Sequence, residues 1–196
     1  MIRLRPLGDS GQAFPIYITV VAGLLFLALA YLAVGQAAVN RGGAQTAADA
    51  GALAAAQNRR DQLAARWAED VLDPTKWQAI FDGTVQLGPS CWRADQLAAQ
   101  NDAKAHCDSP TPLTFTVDAK TNKTVGKSVV PGTEHVQSTA SARAVIDPLC
   151  SFELAGDEAD DTLPRLVCKD RDWDLNPDDL TDLPGPEDLF DVHLAD

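Results

Sequence analysis

The chain has 196 residues, with 16 Lys and Arg against 28 Asp and Glu and a net charge of −12. That length suits one ordinary domain, or one small domain with extensions, and the acidic balance excludes a nucleic-acid binder, which needs a basic face to neutralise phosphates. The charge is unevenly placed: residues 1–152 carry 13 acidic and 13 basic side chains, and residues 153–196 carry 15 acidic and 3 basic ones. The sequence therefore reads as a neutral body with an acidic tail.

The first element is Phe14 to Val34, 21 residues without a charge. As a helix rising about 1.5 Å per residue it reaches roughly 31 Å, the thickness of a bilayer's hydrocarbon core. Pro15 falls in the first turn, where its missing N–H does little harm, and Tyr17 and Tyr31 mark the two ends, where amphipathic rings favour the interface. A cleaved signal peptide is the competing reading, with small-x-small sites at Ala33–Val34–Gly35 and Gly35–Gln36–Ala37. The apolar run exceeds the usual signal-peptide core and the helix continues beyond it, which favours a retained anchor. Arg3 and Arg5 before the span, against Arg41 behind it, orient the amino terminus to the cytoplasm and the remainder outside.

Residues 36–73 read as an Ala-rich helical stalk, because Ala, Gln, Arg and Leu are strong helix formers. Asn40 with Gly42 and Gly43 predicts a bend or loosened turn, and Asp73–Pro74 predicts the helix end. Ala37, Ala44, Ala48, Gly51 and Ala55 form a narrow small-residue stripe of the kind that admits a neighbouring helix; a compositional preference for Ala explains the same residues equally well. Leu53, Leu63, Trp67 and Val71 are anchors for a head, and Arg59, Arg60, Asp61 and Arg66 form a solvated face.

Residues 74–152 form an expected extracytoplasmic α+β head. Trp77, Ile80 and Phe81 suggest a short helix and Asp95 to Ala105 another, with Gly88–Pro89 between them. The alternation in Leu113–Val117 and in His135–Ile146 reads as strands, with Pro131–Gly132 as a turn, giving a short, three-stranded antiparallel sheet packed on the stalk or a neighbouring helix. Cys91, Cys107, Cys150 and Cys168 all lie beyond the span, where an even number suggests two disulfides. Nearest-neighbour pairing would close loops of about 15–20 residues, each worth about 3 kcal/mol in the chain-entropy model, but three connectivities are open. A zinc site using these thiols with His106 or His135 is the sharper alternative, weakened by the lack of a C-x2-C knuckle.

Residues 153–196 read as an acidic, largely irregular tail. Asp170, Asp172, Asp174, Asn176 and Asp178 alternate like the start of a calcium loop, but Leu175 and Thr181 occupy the places of the loop's Gly and bidentate Glu. No catalytic constellation surrounds His106, His135 or His193, and there is no Gly-rich phosphate loop. The expectation is a protein that is not an enzyme and uses no cofactor.

Two blocks carry a family resemblance: Gly11–Gln12–Ala13 before the span, and Arg41 with Gln45–Thr46–Ala47–Ala48–Asp49–Ala50–Gly51–Ala52–Leu53–Ala54–Ala55 after it. Together they resemble the amino-terminal region of the Tad (tight-adherence) pilus-assembly family, the TadE/TadG-like pseudopilin relatives, over about a quarter of the chain. The motif residues are Gly11, Gln12, Arg41, Gln45, Ala47, Ala48, Asp49, Ala50 and Leu53. Peptidase-processed pseudopilins carry Glu five residues after a Gly cleavage site; here that position is Ala13 after Gly8 and Ile16 after Gly11. The resemblance thus implies an unprocessed, TadG-like single-pass envelope protein of a Flp-type pilus or related secretion system. Its partners would be the membrane and other pilin-like or Tad subunits met through the amino-terminal helix, a second copy of itself included. The contrasting reading is a secreted or anchored binding module whose acidic tail captures calcium or a basic partner.

Overall fold

The computed structural model of the chain describes residues 13–124, 132, 134–154 and 163–195. Residues 1–12 of the expected cytoplasmic segment 1–13, with Gly11 and Gln12, and the turn residue Pro131 lie outside them.

The first element is a single helix, α1 (Ala13–Glu69, 57 residues), about 85 Å long at the standard rise. It joins the apolar run and the stalk without interruption. The turn predicted at Asn40 and Gly42–Gly43 does not form: each Gly costs about 1 kcal/mol relative to Ala, too little to break a helix flanked by strong helix formers on both sides. The helix stops at Glu69, ahead of Asp73–Pro74. There the chain reverses around Asp70, whose backbone N–H donates to Arg66 O (3.1 Å). The Asp70 carboxylate pairs with Arg66 (2.8 Å) and Lys76 (2.7 Å).

A 3-10 turn (Pro74–Lys76) leads into α2 (Trp77–Phe81), and α3 (Cys91–Gln100) follows. The expected helix at Asp95–Ala105 is displaced, because Asn101–Asp102 turns the chain, with Asp102 at φ 55°, and Ala103 begins a strand. That strand, β1 (Ala103–Thr111), pairs antiparallel with β2 (Thr114–Thr121), β2 with β3 (Thr139–Pro148), and β3 with β7 (Phe190–Ala195). The main sheet thus has four strands in the order β1-β2-β3-β7, where three were expected. A second small sheet joins β4 (Cys150–Phe152), β5 (Leu166–Cys168) and β6 (Asp172–Trp173). A one-turn helix, α4 (Pro186–Leu189), precedes β7; the Asp188 carboxylate accepts the Gly185 N–H (2.8 Å).

The acidic segment is therefore less irregular than its composition implied. Leu166, Trp173, Leu189 and Phe190 are buried in the same core as Trp67 and Trp77, and these few apolar side chains pin a highly charged segment to the head. Strand alternation turns one face of the main sheet onto α1 and α3.

The core is graded along α1. Nearest the apolar run it is nearly all alanine: Ala47 and Ala48 of α1, Ala98 of α3, and Ala103 and Ala119 of the sheet, with Ala105, Ala140 and Ala142 against them. Farther along it becomes aromatic. Trp77 stacks obliquely on Trp67 (5.4 Å between centroids) and edge-on to Phe152 (5.2 Å), while Phe81 lies between Phe152 and Phe190. Small side chains let sheet and helix approach closely at one end; large ones fill the wider space at the other.

Candidate assembly surface

The two halves of α1 have opposite environments. Every described side chain from Phe14 to Val39 is exposed except Val21 and Ala33, which are half-buried. Phe14, Tyr31 and Val39 are each more than 70 % exposed, at 72, 79 and 77 %. This part of the helix is long and apolar enough to cross a membrane and has no share in the chain's core. Apart from the two tyrosine hydroxyls, its one polar side chain before Gln36, Thr19, is satisfied within the helix by donating to Ile16 O (2.8 Å).

From Ala44 onward one face of the helix is covered. Ala44, Ala48 and Ala55 are fully buried and Gly51 is buried beneath Val117. The stripe expected to receive a neighbouring subunit's helix is thus filled at these four positions by the chain's own sheet and α3. The Ala37 side chain lies outside the described ones. Hydrophobic patterning shows that a face wants a partner but not whether the partner is the same chain. Of the remaining motif residues, Ala47 is fully buried and Leu53 packs half-buried against the core. Ala50 and Asp49 are half-buried, and Arg41 and Gln45 are exposed. Gln45 donates to the Asp49 carboxylate one turn on (2.7 Å).

Arg59 departs from the solvated face predicted for it. Its guanidinium lies over the Phe115 ring (5.8 Å), and burial lowers its pKa from the ordinary arginine value. Arg60, Asp61 and Arg66 do face solvent in part or fully; Arg60 pairs with Asp61 (2.9 Å).

The four cysteines form Cys91–Cys107 and Cys150–Cys168, the nearest-neighbour connectivity, so no thiol is left for zinc. The first bond ties α3 to β1 and the second joins register partners of β4 and β5. The aspartates weighed for calcium are not gathered around a common point: Asp172 and Asp174 pair with Arg165 (3.3 and 3.2 Å), and Asn176 accepts the Asp178 N–H (3.0 Å). Among the described residues no group of three His, Cys, Asp or Glu is disposed to hold a metal. The histidines are scattered. His106 faces outward on β1 opposite Asp118, His135 is exposed in a turn, and His193 on β7 sits 3.2 Å from Asp191 and 3.8 Å from Asp147.

The sequence did not reveal how the head meets the apolar half of the helix. The turns at the ends of α3 and β2 hang beside α1 and enclose a cleft of about 540 Å³, lined by Tyr31, Leu32 and Val39 on the helix and by Asp102, Thr121 and Lys123 on the head. Asp102 and Lys123 form an ion pair there (2.6 Å). Strand register makes this juxtaposition, and a linear pattern does not encode register across such separations.

Residues 11–58 match the Tad family, described as "Putative Flp pilus-assembly TadE/G-like". The resemblance carried by Gly11–Gln12 and the Arg41–Ala55 block is thereby shown over that segment, which ends within the covered half of α1. Among curated proteins and solved structures, none matches the chain.

Proposed function

With a pilus-assembly segment at residues 11–58 as the premise, we propose that this chain is a non-enzymatic, single-pass structural or assembly component of a Tad/Flp-type pilus or a related secretion system. The observation that carries the reading is the division of α1: one continuous helix whose carboxyl half packs against the head and whose apolar amino half is largely exposed among the described residues. An apolar surface of that length is tolerated in water only at a large cost, whereas in a bilayer every backbone group is already satisfied by the helix. The amino terminus is cytoplasmic and the head extracytoplasmic, in keeping with Arg3 and Arg5 before the span and with two disulfides in the head.

Association with other pilin-like subunits, or with a second copy, then runs through residues 14–39, since Ala44, Ala48, Gly51 and Ala55 are occupied. Two measurements on the native host's envelope test this. The protein stays in the membrane pellet after alkaline extraction, and a photo-cross-linker at Leu24 or Leu27 captures subunits while one at Ala48 does not. Recovery of soluble, amino-terminally truncated protein overturns the anchor; capture from Ala48 alone overturns the assignment of the surface.

A further inference from the structure

The head's charges are unevenly distributed along α1. The end of the head beside the cleft carries Lys104, Lys120 and Lys123, all exposed, with Arg41 exposed on the helix nearby. The only carboxylate paired with any of them among the described residues is Asp102, on Lys123 (2.6 Å). The opposite end is net acidic: Asp170, Asp172, Asp174, Asp178, Asp179 and Asp182 lie on or beside the small sheet that packs on the aromatic core. They outnumber Arg165, Lys169 and Arg171, of which Arg165 pairs with Asp172 and Asp174 and Arg171 with Asp182. Lys104 and Lys120 are direct cross-strand partners on the outer face of β1 and β2. Like charges directly opposite one another destabilise a sheet, and here the neighbouring strand offers only Thr139 in register with Lys120. Asp118, two residues along β2 on the same exposed face, accepts from Ser141, and this repulsion is left without an ion pair to either lysine among the described residues.

Its position suggests what compensates it. The cleft brings Lys123 to the helical turns from Tyr31 to Asn40, and Tyr31 closes the apolar run, at the level where a bilayer gives way to its headgroups. Any chain emerging from the membrane at Tyr31 would hold these lysines over the lipid phosphates. We propose that this end of the head docks on anionic phospholipid headgroups of the bilayer that α1 crosses, through Lys104, Lys120 and Lys123, so that the head stands on the membrane with its acidic end directed away. Each Lys near an anionic surface adds attraction that salt screens within a Debye length, and the aspartates of residues 170–182 lie at the far end, where they add little opposing repulsion. The proposal rests on the anchored reading above.

The test uses the full chain reconstituted in vesicles of neutral phosphatidylcholine, and in the same lipid mixed with phosphatidylglycerol, followed by amide hydrogen exchange. Exchange at residues 101–104 and 120–124 slows by about tenfold in the anionic vesicles, and the difference disappears in high salt and in the variant Lys104→Gln/Lys120→Gln/Lys123→Gln. That variant melts in detergent at the same temperature as the parent or higher, since it relieves the cross-strand repulsion, so loss of the lipid effect does not reflect misfolding. Equal exchange in both vesicles overturns the docking, as does equal protection by inorganic phosphate added to neutral vesicles. Alkaline extraction of the same vesicles separates the two readings: release of the protein overturns the anchor, whereas retention without lipid-dependent protection overturns only the docking.

Discussion

Gly51 lies directly beneath Val117: a β-carbon on Gly51 would stand 3.2 Å from Val117 Cγ1 and 3.4 Å from the Ala94 carbonyl oxygen. At this point α1, α3 and β2 meet, and the absence of a side chain sets how closely they approach. Gly51→Ala gains about 1 kcal/mol of helix propensity but forces Val117 to shift by a few tenths of an ångström. The two effects nearly cancel, and the melting temperature changes little. Gly51→Leu has no such space, and loses at least about 1–3 kcal/mol to overpacking. Thermal denaturation of both variants in detergent checks the pair, and a Leu variant as stable as the parent would show that the contact is loose.

Gly83 is required for a different reason. Its φ is +69°, and a β-carbon there would lie 2.7 Å from Leu113 Cδ2 and 3.1 Å from Pro112 Cβ. An L-residue in the left-handed region costs about 1–2 kcal/mol before any clash. Gly83→Ala therefore destabilises by about 2 kcal/mol or more, read as a fall in the denaturation midpoint.

The disulfides hold different parts of the head. Cys91–Cys107 joins α3 to the edge strand β1, and Cys150–Cys168 closes the loop that leads into the acidic segment. Removing either costs about 2–4 kcal/mol. Proteolysis distinguishes them: Cys150→Ser/Cys168→Ser exposes the region after residue 150 to cleavage first, while the Cys91–Cys107 pair protects α3 and β1.

The pH dependence has two shallow limbs. Asp73 is held below its ordinary value of 3.8 by hydrogen bonds from Thr75 and Lys76, and Asp179 is lowered from the same value by those from Thr181. A carboxylate with a depressed folded pKa stabilises above its unfolded value and loses that contribution as pH falls through the folded one. Lys76 is raised above 10.5 by Asp70 and then Asp73; its contribution is complete below 10.5 and is lost as pH rises through the folded value. Stability from these groups is thus flat across neutral pH and falls on the acid side below 3.8 and on the alkaline side above 10.5. Asp73→Asn weakens both limbs, which denaturant titrations across pH can verify.

Much was legible in sequence because local chemistry fixed it. The apolar run, the Ala-rich helix and the short helix at Trp77–Phe81 follow from propensity and periodicity, and the family segment follows from an ordered block of residues. The strand β1 was hidden: Ala103–Thr111 has little β-propensity, and only pairing with β2 makes it extended. The same holds for β7, whose Asp191 and His193 read as tail until Pro148 and Phe190 are placed side by side.

The sequence by itself determined that this chain has an apolar helix long enough to cross a membrane, a stretch matching the TadE/G-like pilus-assembly family, and a neutral body with acid at its end. Those properties depend on neighbours along the chain, or on summed composition. Tertiary structure alone decided that the small-residue stripe from Ala44 to Ala55 serves the chain's own head, that the acidic segment closes the sheet, and that Lys123 faces Tyr31 across a cleft. Each depends on which distant strands pair and in which register, and register is set by the packing of the whole core.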